Sequence, residues 1–189
     1  MDAATLAQAV GIPVLRAQTW APALSGAIDR FDVRAVAMFV AQCAHECALF
    51  NQLRELWGPT QAQRGYDQRA DLGNTKPEAQ AIAAAAGDAP GHFYRGAGCI
   101  QLTGYTNILA FSLAWWGDDR AVHEPKLLTV PANAAACAGW FWTWRRIDPL
   151  AAPGTDDAFE AVTRRINGGT NGIEDRRRLW AMAKRAGLR

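Results

Sequence analysis

Ala44-His45-Glu46-Cys47, then Glu55, then Gly98-Cys99-Ile100-Gln101-Leu102-Thr103-Gly104 place two carboxylates ahead of a glycine-flanked polar loop. Two such carboxyls can cleave a glycosidic bond, one protonating the leaving oxygen while the other activates a water. Held apart with room for that water, they give the inverting geometry. Glu46 and Glu55 stand nine residues apart, so on one continuous helix they would lie on opposite faces, ~13 Å apart along the axis. They can share a cleft only if the helix ends soon after Phe50 and Glu55 sits on a turn or strand facing back. Gly58-Pro59 stops regular structure shortly beyond.

The elements that must carry these groups read as mainly helical. Asp32 is placed to cap a helix starting near Val33, in which Val36, Phe39, Val40, Cys43, Cys47 and Phe50 recur at helical spacing. Glu46 falls at the margin of that apolar stripe, where partial desolvation favours the protonated form that a general acid needs. From Trp57 to Gly98 the chain turns to Gly, Pro, Gln, Asn and charged residues, broken only by the Ala-rich stretch 77–86, which predicts a short helix in a smaller, loop-rich lobe. Gly104 to Trp116 and Ala132 to Trp144 return to helical character, and most of their tryptophans read as core. Pro149 to Gly154 predicts a loop, Thr155 or Asp156 a cap for a helix burying Phe159, Val162 and Ile166, and Asn167 to Gly172 a turn. Glu174-Asp175 then opens the last helix at its positive end.

Composition narrows the classes. The chain has 189 residues, half of them apolar, with 8 Trp, enough for one substantial core and a single domain over 1–189. A net charge of +2 without an aromatic-interleaved basic stretch argues against nucleic acid. The C-terminal end is nonetheless basic: Arg164, Arg165, Arg176, Arg177, Arg178, Lys184, Arg185 and Arg189 outweigh Glu160, Glu174 and Asp175. That patch reads as a solvated helix face or as a surface for an anionic polymer. No apolar run reaches the ~18 residues of a membrane span, and Met1 to Leu6 lack the basic start and apolar core of a signal peptide. The expectation is a protein made in the cytoplasm without an export tag or stable membrane insertion. Cys43, Cys47, Cys99 and Cys137 read as reduced, small apolar fillers. A zinc site at Cys43, His45 and Cys47 is disfavoured because a helix turns His45 away from the cysteine pair; no metal or cofactor is expected.

His45-Glu46, the segments 54–60 (Arg-Glu-Leu-Trp-Gly-Pro-Thr), 94–107 (Tyr-Arg-Gly-Ala-Gly-Cys-Ile-Gln-Leu-Thr-Gly-Tyr-Thr-Asn) and 165–172 (Arg-Ile-Asn-Gly-Gly-Thr-Asn-Gly), in this order, resemble glycoside hydrolase family 19 and in particular its phage endolysin branch. The resemblance runs from about Phe31 to the C-terminus. It implies a lysozyme-like, two-lobed α-helical domain with the substrate cleft between lobes, and a small lobe with at most short β segments. By the same likeness Glu46 is the general acid, Glu55 the base, and Thr103 a hydroxyl that helps hold the nucleophilic water. Gln101, Asn107 and Asn167 match sugar-binding positions, although Gln101 and Asn107 can equally tie their loop together and Asn167 can serve as a turn residue. Arg176 matches an arginine that organises the glutamates, or else belongs to the solvated basic face.

Two positions depart from the family pattern. Ala97 stands where an arginine is common, removing a cation near the cleft, and Ile108 where a tyrosine often follows Asn107. The resemblance implies a monomeric endolysin that cuts peptidoglycan between N-acetylmuramic acid and N-acetylglucosamine for bacterial cell lysis, waiting in the host cytoplasm until released toward the wall. A chitinase acting on N-acetylglucosamine polymer is the alternative enzyme, and a non-catalytic glycan-binding protein the alternative from another class.

Overall fold

The computed structural model describes residues 1–188 and is mainly helical. Asp2 caps α1 (Ala3–Val10), its carboxylate accepting from the Thr5 amide at 2.7 Å. Next come α2 (Val14–Ile28) and α3 (Val33–Glu46). Asp32 caps α3 as its sequence suggests, accepting from the Arg34 amide at 2.9 Å. The middle of the chain holds only short pieces: α4 (Gln61–Arg64), α5 (Pro77–Ala85) and α6 (Pro90–Phe93). Four longer helices and two short ones follow: α7 (Tyr105–Trp116), α8 (Arg120–His123), α9 (Pro131–Trp144), α10 (Asp148–Ala151), α11 (Asp156–Asn167) and α12 (Ile173–Arg185).

The main core lies where α3 packs on α12 and α2 packs on α9, with α1 bridging α2 and α12. The first two helices precede the motif-bearing segments, which begin only near Phe31. Residues 61–93 pack chiefly on one another, α6 against the turn at Tyr66–Gln68 and against α4 and α5. Among the described residues no β-strand forms; two isolated bridges, Arg54 with Ala97 and Ala97 with Leu102, are the only sheet-like pairing. Pro149 to Gly154, read as a loop, begins inside the single helical turn α10, because Asp148-Pro149 starts a helix well.

The end of α3 departs from expectation. Periodicity carried the helix to Phe50, yet Glu46 is its last residue. Ala48, Leu49 and Phe50 follow with φ of 48°, 58° and 64°, a left-handed turn built without glycine. Each such residue costs about 1–2 kcal/mol. The turn buries Phe50 against Trp20, ring centroids 4.9 Å apart, so the stripe residues that imitate a longer helix are buried by another route.

All four cysteines are free and buried, and Cys47 donates to the Cys43 carbonyl. Burial pushes the Cys43, Cys99 and Cys137 thiols up. His45 instead reaches Asp175, Nδ1 to Oδ2 2.7 Å, locking the end of α3 to the start of α12. Gly172 lies over that ring with φ +70°, and a Cβ there would fall 2.4 Å from Cε1 and 2.5 Å from Nε2 of His45. Gly172→Ala is therefore expected to destabilise the fold by at least ~2 kcal/mol, combining the left-handed penalty with the overlap. Denaturant titration of the purified variant checks this; wild-type stability would show that the ring simply moves aside.

Candidate active site

The site is assembled where three extended pieces of backbone meet the end of α3. Glu55 N–H donates to the Gly96 carbonyl at 2.8 Å, Gly98 N–H to Leu53 at 2.8 Å, and Ala97 and Leu102 exchange both backbone hydrogen bonds at 3.1 and 2.8 Å. These bonds set Glu55, Gly96 and Thr103 side by side. Three donors converge on the Glu55 carboxylate: Gln63 Nε2 at 2.9 Å and Tyr66 Oη at 3.2 Å on Oε1, and the Gly96 amide at 3.0 Å on Oε2. Such a set fixes both oxygens and matches a carboxylate that accepts a proton. Burial, then the neighbouring Glu55 charge, raises the Tyr66 phenol above its ordinary value, so it remains a donor.

Glu46 is held differently. Its Oε1 accepts from Arg176 Nη2 at 2.5 Å, and the arginine side chain is 2% exposed against 17% for Glu46. Arg176 also donates to Gln42 Oε1 at 2.5 Å and to the Asn171 carbonyl at 3.2 Å, and Gln42 Nε2 donates to Thr163 Oγ1 at 2.7 Å. Gln42 and Thr163 are wholly buried. The apolar setting expected for Glu46 is overturned: its carboxylate meets a buried cation, which sets its orientation, and a neutral network from α3, α11 and α12 fixes that cation. Arg176 does not belong to a solvated basic face. Its neighbours Arg177 and Arg178 pair with Glu174 and Asp175 at 3.0 and 2.7 Å, while Arg189 lies outside the described residues.

Glu46, Gln101, Thr103 and Asn167 line one cavity of about 410 Å³ together with Tyr66, Arg69, Leu72, Ile100 and Ile166. Glu55 is not among the residues lining it but is bonded to the lining Tyr66 and to Gly96, and the missing side chain of Gly96 matters: a Cβ there would lie 3.0 Å from Gln101 Oε1 and 3.3 Å from Thr103 Oγ1. Thr103 Oγ1 donates to the Gln101 carbonyl at 2.9 Å, leaving its lone pairs to accept from a water. Gln101, at φ 51°, spends its amide N–H on Gly98 and Gln52 carbonyls, so it ties the loop with one end and keeps Oε1 beside Gly96. Asn107 Nδ2 is used by the Thr103 carbonyl at 2.8 Å, and its side chain borders the neighbouring stretch of cleft rather than the cavity that holds Glu46. Asn167 ends α11, with Gly168 as its left-handed cap, and its buried Nδ2 has no hydrogen-bond partner among the described residues.

Of the seven residues the sequence singled out, the structure puts Glu46, Gln101, Thr103 and Asn167 on this cavity and Asn107 on the neighbouring stretch, sets Arg176 behind Glu46, and links Glu55 to the cavity wall through Tyr66. It adds Gln63, Tyr66, Arg69, Gln42 and Thr163. Gln63 alone carried a local signal, the Thr60-x-x-Gln63 capping box, which the structure forms in full. The two departures fall in packed places: Ala97 is fully buried at the crossing of the two bridges and Ile108 is fully buried in α7. Behind the Glu55 backbone lie two other guanidiniums. Arg95 Nε donates to the Glu55 carbonyl at 3.1 Å, and Arg54, pushed down to about 10 by burial, donates to Phe93 at 2.6 Å.

No family model matches the chain. A curated protein of Haemophilus influenzae, described as a glycosyl hydrolase family 19 domain-containing protein, is 37% identical over 76% of this chain and 76% of its own. The chain belongs to glycoside hydrolase family 19. The fold agrees: a chitinase C variant superposes with TM-score 0.68 at 17% identity, over 98% of this chain and 91% of the other. A bacterial family 19 chitinase gives 0.68 at 18%, over 100% and 95%, and chitinase C from Streptomyces griseus 0.64 at 19%, over 98% and 75%. The lysozyme-like helical architecture of family 19 is therefore that of this glycoside hydrolase. None of its described helices is long and apolar enough to cross a membrane.

Proposed function

We propose that this family 19 enzyme cuts β-1,4 bonds between N-acetylmuramic acid and N-acetylglucosamine in peptidoglycan strands, with inversion, as an endolysin in bacterial cell lysis. The observation that carries the reading is the pair of carboxyls delivered by different elements and held by different partners, Glu46 by one buried cation and Glu55 by three neutral donors. Glu46 protonates the glycosidic oxygen, and Glu55 takes a proton from the water that attacks the anomeric carbon. Thr103 Oγ1 accepts that water's other proton as a hydrogen bond and so aims its lone pair. Asn167, on the cavity wall, hydrogen-bonds the N-acetyl group or a hydroxyl of the sugar through its side-chain amide, and Gln101 Oε1 accepts from a sugar donor. Arg176 acts through Glu46 rather than on the glycan. Asn107 supports the Thr103 loop at the cleft's continuation.

Room favours peptidoglycan as the substrate. The cleft continues past Arg69, Leu72, Ile166 and Asn167 into a second stretch of about 830 Å³, space for a lactyl ether and the peptide it bears. Chitin shares the backbone and is the second reading, favoured by the chitinase structures the fold resembles. The protein acts as a monomer and as one domain, residues 57–98 forming the smaller lobe, and meets the wall after leaving the host cytoplasm. Incubation with peptidoglycan sacculi and with chitin oligomers, followed by mass spectrometry of new reducing ends and NMR of the first-formed anomer, tests it. Muropeptides with new reducing ends and an α-anomeric product are expected; release from chitin alone would overturn the peptidoglycan reading, and a β-anomer the inverting one.

A further inference from the structure

The continuation of the cleft has a charge that nothing in the hydrolysis of a neutral glycan requires. Four arginines line it, Arg69, Arg145, Arg164 and Arg165, against a single acid, Asp71. Arg69 is paired with Asp71 at 2.5 Å and Arg164 with Glu160 at 2.9 Å. Arg145 and Arg165 have no acidic partner among the described residues; Arg165 Nη1 donates only to the Arg145 carbonyl, at 2.7 Å, and the Arg145 guanidinium lies over the Trp144 ring, 5.6 Å from its centroid. Two uncompensated, pre-positioned cations thus stand in the same groove as Asn167, which borders the catalytic cavity as well.

We infer that Arg145 and Arg165 form an annex that binds carboxylates carried on the glycan being cut. The inference rests on the peptidoglycan reading and adds to it the chemistry of recognition. A guanidinium fork, planar by its own delocalisation, matches a carboxylate in two parallel hydrogen bonds, and a ring beneath it restricts where the fork points. Chitin offers no carboxylate. Peptidoglycan offers two kinds, the acidic residues of the stem peptide and, once the stem is cleaved off, the lactyl group itself. Binding here places the acylated sugar on the Arg145 side of Asn167 and so sets which sugar faces Glu46.

The test compares the full-length wild type with an Arg145→Gln/Arg165→Gln double variant and an Arg145→Lys/Arg165→Lys double variant on three substrates: stem-bearing glycan, the same glycan stripped by an amidase, and chitin oligomer. The readout is the ratio of kcat/KM on each peptidoglycan form to that on chitin oligomer. Two exposed charge contacts predict a fall in this ratio of about three- to tenfold in the Gln variant at low salt. The Lys variant, which keeps the charges but loses the forks, should fall by an intermediate amount, and the losses should shrink in high salt. A fall confined to stem-bearing glycan assigns stem carboxylates, and one confined to stripped glycan the lactyl group. An unchanged ratio, or an equal loss on all three substrates, overturns the annex while leaving the peptidoglycan reading intact. Wild-type silence on both peptidoglycan forms alongside chitin cleavage overturns that reading and the annex with it.

Discussion

Replacing Glu46 with Gln should lower kcat on polymeric glycan by about 10²- to 10⁴-fold, and Glu55→Gln by a similar factor, the span that a positioned acid or base contributes. The two losses are expected to differ in kind. With an aryl leaving group that departs without protonation, Glu46→Gln should recover much of its rate while Glu55→Gln should not, because water still needs its base. Adding azide, a nucleophile with no proton to lose, should rescue Glu55→Ala instead. Steady-state kinetics on a polymer and on an aryl glycoside measure both. Equal behaviour of the two variants on the aryl substrate would remove the assignment of roles, and retention of polymer turnover by Glu46→Gln would remove Glu46 from the chemistry. Removing the Glu46 charge also strips Arg176 of the one carboxylate it touches among the described residues, so the variant should melt at lower temperature than Glu55→Gln.

Arg176→Leu should cost about 3 kcal/mol of stability, toward the lower end for a broken buried pair because Glu46 keeps access to the cleft. It orphans the Gln42 carbonyl oxygen and the Asn171 carbonyl, both bonded to the guanidinium. Activity should fall by at least about a hundredfold with KM little changed, since Glu46 loses the group that fixes its rotamer while the sugar contacts at Asn167 remain. Gln42→Met separates orientation from charge: it preserves the ion pair but removes the neutral support, and should cost about 1–2 kcal/mol with a smaller loss of kcat. Denaturant titration with kinetics at a temperature where each variant is folded provides the check. A stable, active Arg176→Leu protein would mean that Glu46 needs no cation to hold it.

The pairing of Arg176 with Glu46 separates what could be read locally from what could not. A run such as Arg176-Arg177-Arg178 looks uniform in sequence, and a helix of such composition is most simply a wet face. Only the packing of α12 on α3 turns the first of the three inward, onto Gln42 and Glu46, and leaves the other two to Glu174 and Asp175. The same holds for Glu55: its own segment shows it outside a helix, but its three donors come from the turn at Gln63 and Tyr66 and from Gly96, up to 41 residues away. Spacing along the chain carries no information about such contacts, because chain topology sets them.

By itself the sequence determined the helices bounded by strong local chemistry: Asp32 capping α3, Pro77 opening α5, Thr155 capping α11 and Gly168 closing it, with the glutamates, Thr103 and Asn167 on identifiable segments. These follow from hydrogen bonds and backbone preferences within a few residues. Tertiary structure alone decided that α3 stops at Glu46, since the left-handed turn at Ala48 to Phe50 is locally unfavourable and is repaid by burying Phe50 on Trp20. It alone decided that Asn167 lies on the cleft wall, that Arg176 is internal, and that Arg145 and Arg165 share a groove, because each is a long-range outcome of how helices pack.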